Sequence, residues 1–157
     1  MFKGLFNKLE WLFSVQPVTD SRRFYLLSFT WGILMNAAGL IMALVMLVTG
    51  HHPRRFGPCI YFEQGENWGG MSWGMFLIVC KDAGGRLLAH ELGHAMQNCR
   101  FGPFMPLLVG LPSSLRYWFR KLWKQIIGRE PKRPYDAAWF EGQATRVGLE
   151  YMEKTAA

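Results

Sequence analysis

"LLAHELGHAMQN", Leu87 to Asn98, is the stretch on which the reading of this chain turns. Leu87, Leu88, Ala95 and Met96 mark a largely buried helix, and His90 and His94 stand one turn apart on it, so both rings leave the same face and can present nitrogen to one ion. Two of the chain's 4 histidines fall here. Burying two imidazoles and a carboxylate without a shared partner costs several kcal/mol, which favours a common metal over two merely satisfied polar side chains. Glu91 is offset along the helix, where it reaches a water beside the ion rather than the ion itself, the position of a general base. Two ring nitrogens do not complete a zinc site, so a further ligand must come from elsewhere.

Proteins with a His-Glu-x-x-His helix differ in that ligand. One class continues with Gly and a third His, but those positions here are Gln97 and Arg100. Membrane-embedded site-two-type proteases draw an Asp from a distant "LDG", which this chain lacks. A third class draws a Glu from a later helix, and Glu130, Glu141, Glu150 and Glu153 are available. Glu130 lies in a charged link, and Glu150 and Glu153 sit near a helix end beside Lys154. Glu141 shares its helix face with Ala137, Ala138, Ala144, Thr145 and Gly148, small residues that let another helix approach. A carboxylate in the middle of such a face needs a cation, and zinc held by the facing helix supplies one. A salt bridge to Arg146 is the structural alternative.

Away from the motif, the 157 residues allow one ordinary domain. Half are hydrophobic (50%), 15% are aromatic, and 18% are charged, below the roughly 25% usual for soluble domains. The formal charge of +7 comes from Lys and Arg set among Trp, Phe and Leu, which suits anionic lipid rather than nucleic acid. The 3 cysteines, Cys59, Cys80 and Cys99, are odd in number and without paired spacing, so they read as buried thiols.

From Phe24 to Thr49 no residue is charged, with Arg22 and Arg23 before the run and Arg54 and Arg55 after it. Its length predicts one transmembrane helix over 24–49, and it exceeds the apolar core of a signal peptide. Charge balance favours a cytoplasmic amino terminus, while the unpaired thiols and basic helix favour the opposite side, so the side of the domain stays open. Residues 1–23 read as an interfacial amphipathic segment. Residues 56–157 form the metal domain. Within it, "CIYF" and "MFLIVC" predict a short β-hairpin or a pair of edge strands, and the three prolines of "FGPFMPLLVGLPSS" predict a loop. Ser113 or Ser114 could cap the next helix, "LRYWFRKLWKQIIG", which has the composition of a basic interfacial helix. Asp136 is placed to cap the last helix.

With these residues in view, the chain resembles the Glu-zincin class of metallopeptidases. It is also similar to a group of small bacterial membrane-associated proteins sharing "HELGHAMQN", "GPF", "LPS", "RYW" and "YDAAWFEGQAT" in that order, over roughly Trp68 to Gly148. The resemblance implies a zincin-like α+β, helix-dominated domain, zinc on His90, His94 and Glu141, and Glu91 as catalytic base. Where Glu-zincins often carry an Asp four residues after the ligand Glu, this chain has Thr145. Asp136, Gln143 and Asn98 are the remaining candidates to support the ligands, and Tyr117, Tyr135, Arg116 and Arg146 to stabilise an oxyanion. The expectation is a single-pass membrane zinc metallopeptidase whose partners are membrane lipid and a peptide or protein substrate. Two alternatives are a non-catalytic zinc-stabilised membrane module and a zinc hydrolase of a lipid or non-peptide amide.

Overall fold

A computed structural model describes residues 13–156. Most of the amphipathic segment expected over residues 1–23 therefore lies outside the described residues. Asp20 opens α1, Ser21–Phe29, by accepting a hydrogen bond from the Arg22 amide at 2.9 Å. α2 follows over Ile33–Val48. Two hairpins come next: β1, Arg54–Phe56, with β2, Cys59–Glu63, then β3, Gly70–Trp73, with β4, Phe76–Val79. α3, Gly85–Phe101, carries the two histidines. A 3-10 turn, Gly102–Phe104, and a π turn, Pro106–Gly110, lead into α4, Leu111–Ile127. After a link and a 3-10 turn at Tyr135–Ala137, α5, Trp139–Ala156, closes the described chain.

The uncharged run is not one helix. α1 and α2 meet at 93°, and no single helix among the described residues is long and apolar enough to cross a membrane, which corrects the expected transmembrane helix over 24–49. The break is held by polar groups from the rest of the fold. Asn36 is buried and donates to the carbonyls of Ser28 (2.8 Å) and Gly32 (3.0 Å), while its Oδ1 accepts from the Met75 amide at 2.8 Å. Asn98 of α3 also donates to the Gly32 carbonyl, at 3.2 Å. The Gly32 amide bonds the Leu27 carbonyl instead of Ser28, and Asn36 supplies the donor that the Ser28 carbonyl loses at the break. Hydropathy records the absence of charge and is blind to that exchange.

The sheet order is β1-β2-β4-β3. Each hairpin is antiparallel, and the hairpins join through the parallel pair β2 and β4, with Ile60 opposite Phe76 and Glu63 opposite Val79. The two apolar runs are thus strands, but each has its own short partner, "RRF" and "GMSW", too brief and too polar to be read beforehand. β4 is buried along its whole length. One core joins Phe24, Met35 and Met46 of α1 and α2 to Phe62, Phe76 and Leu77 of the sheet and to Leu92, Met96, Phe140 and Val147 of α3 and α5. The first two helices are therefore built into the domain rather than set apart from it.

The proline-rich stretch expected as a loop is helical but irregular: prolines lack an amide donor, and the chain takes 3-10 and π geometry until Leu111. α4 consequently starts before Ser113, which lies inside its first turns. Asp136 likewise sits in the 3-10 turn, Tyr135–Ala137, ahead of α5.

Candidate metal centre

The centre is built where α3 meets α5, and glycine sets how closely they meet. A Cβ at Gly93 of α3 would overlap the Ala144 carbonyl of α5, and a Cβ at Gly148 of α5 would overlap the Ala89 carbonyl of α3. The contact is reciprocal and lies on the small-residue face that the sequence shows around Glu141. It lets a Glu side chain reach across to histidines on the facing helix.

His90 Nε2 and His94 Nε2 each lie 3.2 Å from the Oε2 of Glu141, and the Glu141 side chain is fully buried. One donor atom from each of the three residues falls within 4.8 Å of the others, so the group could hold a metal ion. Zinc bonds of about 2.0–2.2 Å place neighbouring ligand atoms of a tetrahedron about 3.3–3.6 Å apart, close to the 3.2 Å that separates each histidine Nε2 from Glu141 Oε2. Two imidazoles and one carboxylate also match the donor preference of zinc. The residues present therefore fit the metal.

The far side of each ligand is tied down. His90 Nδ1 lies 2.9 Å from the hydroxyl of Thr145, which itself donates to the Glu141 carbonyl at 3.2 Å. With the hydroxyl proton so used, Nδ1 faces Thr145 as the donor, and Nε2 is the nitrogen turned toward Glu141. His94 Nδ1 lies 2.7 Å from Gln97 Oε1, and the Gln97 amide donates to the Phe140 carbonyl (2.8 Å) and to Gln143 Oε1 (3.0 Å). Ser113 of α4 donates to the other Glu141 oxygen at 2.5 Å and lies 3.3 Å from the Tyr135 hydroxyl.

Burial opposes charge on both members of the central pair, yet the pair overcomes it. The hydrogen bonds from His90 and His94 hold the Glu141 carboxyl far below its ordinary 4.5. Burial lowers the His94 pKa, but the hydrogen bond from Glu141 and the charges of Glu91 and Glu141 lift it above 6.5 overall. Burial pushes the Tyr135 hydroxyl up to about 12, with the charge of Glu141 adding to it, so this group stays protonated at neutral pH.

Glu91 differs from every carboxylate around it. It is buried, and its Oε2 has no hydrogen-bond partner. Burial raises its carboxyl above 4.5; the two histidines pull against this, and Glu141 adds to it. A buried oxygen without a partner is a costly arrangement in a folded chain and a recurrent mark of a functional group. Space for it comes from Gly70 of β3, where a Cβ would stand 2.7 Å from Glu91 Oε1. The group opens on a cleft of about 1480 Å³, walled by Asn67 to Trp73 on one side and by residues of α4, among them Tyr117, Trp118 and Lys121, on the other.

The structure brings together His90, His94, Glu141, Glu91 and Tyr135, whose ring centroid is 6.4 Å from that of His90. Gln143 reaches His94 only through Gln97. Asp136 lines the cleft and lies 3.9 Å from Arg86, and Tyr117 lines the cleft as well. The other three candidates lie elsewhere. Asn98 holds the α1–α2 break, Arg116 donates to the carbonyls of Pro134 and Tyr135, and Arg146 pairs with Glu150 rather than with Glu141. Thr145, Gln97 and Ser113 make contacts that the sequence reading did not assign them. Thr145 was legible in principle, being the position where the Glu-zincins that the sequence resembles often carry Asp. No family model matches the chain, and no curated protein or solved structure matches it either.

Proposed function

We propose that this chain is a membrane-associated zinc metallopeptidase in which His90, His94 and Glu141 hold the metal and Glu91 is the general base. The observation that carries the reading is the unpartnered, buried Glu91 Oε2 beside a convergent His, His, Glu set. When bound, zinc would lower the pKa of a water and polarise a substrate carbonyl. Glu91 then takes the proton from that water and passes it to the leaving amine, the ordinary double duty of a carboxylate with a raised pKa. Tyr135 faces the same space as a protonated hydroxyl and is the donor we assign to the developing oxyanion. β3 is an edge strand whose residues line the cleft, so an extended peptide can lie along it and place one carbonyl over the centre.

The test uses the full chain purified in detergent. One zinc per chain is expected, lost in Glu141→Ala, while Glu91→Gln keeps zinc and loses about 10² to 10⁴ of the cleavage rate on a quenched peptide library. Zinc retained in Glu141→Ala overturns the ligand set. Cleavage unchanged in Glu91→Gln overturns the assigned base.

A second reading, hydrolysis of a lipid or non-peptide amide, is favoured by one feature: the cleft runs on to Trp118 and Lys121 of α4, an aromatic and cationic pair suited to an anionic head group. Lipid profiles that differ between strains expressing the parent chain and Glu91→Gln would select it.

A further inference from the structure

α4 is built inside out. Arg116 and Arg120 turn inward to the carbonyls of Pro134, Tyr135 and Arg133, and Lys124 pairs with Glu130 of the same link at 2.9 Å. Leu111, Leu115, Trp118, Phe119, Leu122 and Ile126, spaced along one face, are 53–70% exposed, and no residue of α4 is buried. α2 packs its inner face on the domain but also turns apolar side chains outward. Met35, Asn36, Gly39, Ala43 and Met46 face the domain, while Leu34, Ile41, Leu44, Val45 and Val48 are 46–83% exposed on a helix without one charge. The two surfaces are linked where Trp31, at the α1–α2 break, contacts the Phe104 ring with centroids 6.4 Å apart.

How α2 is packed decides how it can meet a bilayer. Gly39 lies against the Trp73 carbonyl and the Phe76 ring, so α2 is bound along its inner face to β3 and β4. Were α2 upright in the membrane, the sheet and its open edges would be carried to hydrocarbon depth, where unpaired backbone groups cost several kcal/mol each. Its 16 residues span about 24 Å, short of the ~30 Å core, and the bend that ties it to α1 is fixed by Asn36 and Asn98.

We infer that the described residues lie in a single leaflet of an anionic bilayer, with α2 and α4 in the membrane plane, and do not cross it. The occupant of the apolar face is lipid rather than protein. The elements that carry the face also expose cations, Arg22 and Arg23 at the start of α1, Lys121 on α4, and Arg129 and Lys132 in the link after it, which would meet anionic head groups while hydrocarbon covers Leu34, Ile41, Leu44, Leu115 and Leu122. The consequence reaches the candidate metal centre: Leu111 and Trp118 of this face also line the cleft, so the cleft would open at the lipid surface and admit chain segments lying against it. The inference rests on the membrane association proposed above and adds its geometry.

The experiment uses the full chain with Cys80→Ser, since Cys59 and Cys99 are buried, carrying one new cysteine at the exposed Ser21 or His52. A membrane-impermeant maleimide is applied to right-side-out and inverted membrane vesicles. Both positions should label from the same side, whereas labelling from opposite sides overturns the in-plane reading and leaves membrane association standing. In parallel, the purified chain is floated with vesicles of phosphatidylcholine alone or with added phosphatidylglycerol. Anionic vesicles should bind it more tightly, by roughly fivefold for each of Lys121 and Lys132, lost on change to Gln. Brominated lipid should quench Trp31 and Trp118. A chain that stays unbound, or that buries the face by self-association in lipid-free buffer, overturns both the inference and the membrane association on which it rests, without touching the zinc chemistry.

Discussion

Thr145 and Gln97 aim the two rings of the candidate metal centre. Each accepts from a histidine Nδ1 and so directs Nε2 to the same carboxylate oxygen. Thr145→Val keeps the shape of the α5 face and removes the acceptor, and zinc affinity should fall about 10 to 100 fold in a chelator competition. Zinc binding should also be acid-sensitive in a defined direction. Because the His94 pKa lies above 6.5, a proton competes with the metal already above that value, and affinity should drop by about tenfold per pH unit below the raised pKa. Titration with a metal indicator across pH 5 to 8 checks the slope; a flat profile would remove His94 from the ligand set. At this scale the sequence was informative for the ligands and silent on their supports. A His-Glu-x-x-His spacing is a property of one helix, whereas the oxygen that meets each Nδ1 depends on how α3 and α5 are turned toward each other.

For the elements, the contact between α3 and α5 carries the centre. Gly148→Ala drives a methyl group into the Ala89 carbonyl, which only a helix shift can relieve. A cost of about 1 to 3 kcal/mol is expected in denaturant unfolding, with weakened zinc binding because Glu141 is carried away from the histidines. Ala144→Ser is a milder change on the same face and should retain more of both. The run from Phe24 to Thr49 teaches the reverse lesson. Its lack of charge reads as one long span, yet Ser28, Gly32 and Asn36 lie within it, and all three take part in the break. A polar residue inside an apolar run is legible, but the partner it bonds is not, since Met75 and Asn98 are remote in the chain. The same limit hid β1 and β3, which are strands only because β2 and β4 offer them ladder partners.

Across the whole molecule, metal and fold should be linked. The ligands come from α3 and α5, and Ser113 connects Glu141 to α4, so zinc bound to the folded chain draws these elements together. At a free zinc concentration of about 100 times the dissociation constant, the stabilisation is about 2.7 kcal/mol. The melting temperature should rise with zinc, fall with chelator, and respond weakly in Glu141→Ala. Equal melting temperatures with and without zinc in the parent chain would mean that the metal does not bind this fold.

By itself the sequence determined the helix that carries His90, Glu91 and His94, the small-residue face around Glu141, and the excess of apolar and basic residues. Each is written in local spacing or in composition. Only the tertiary structure decided that the long uncharged run bends through 93° and joins the domain core, that Glu91 Oε2 lacks a hydrogen-bond partner in the space Gly70 leaves, and that Thr145, Gln97 and Ser113 rather than Asn98 contact the candidate ligands. The physical reason is common to all three. A buried polar group must find its hydrogen bond, or a functional reason to lack one, among whatever residues the fold brings to it, and distance along the chain carries almost no record of that neighbourhood.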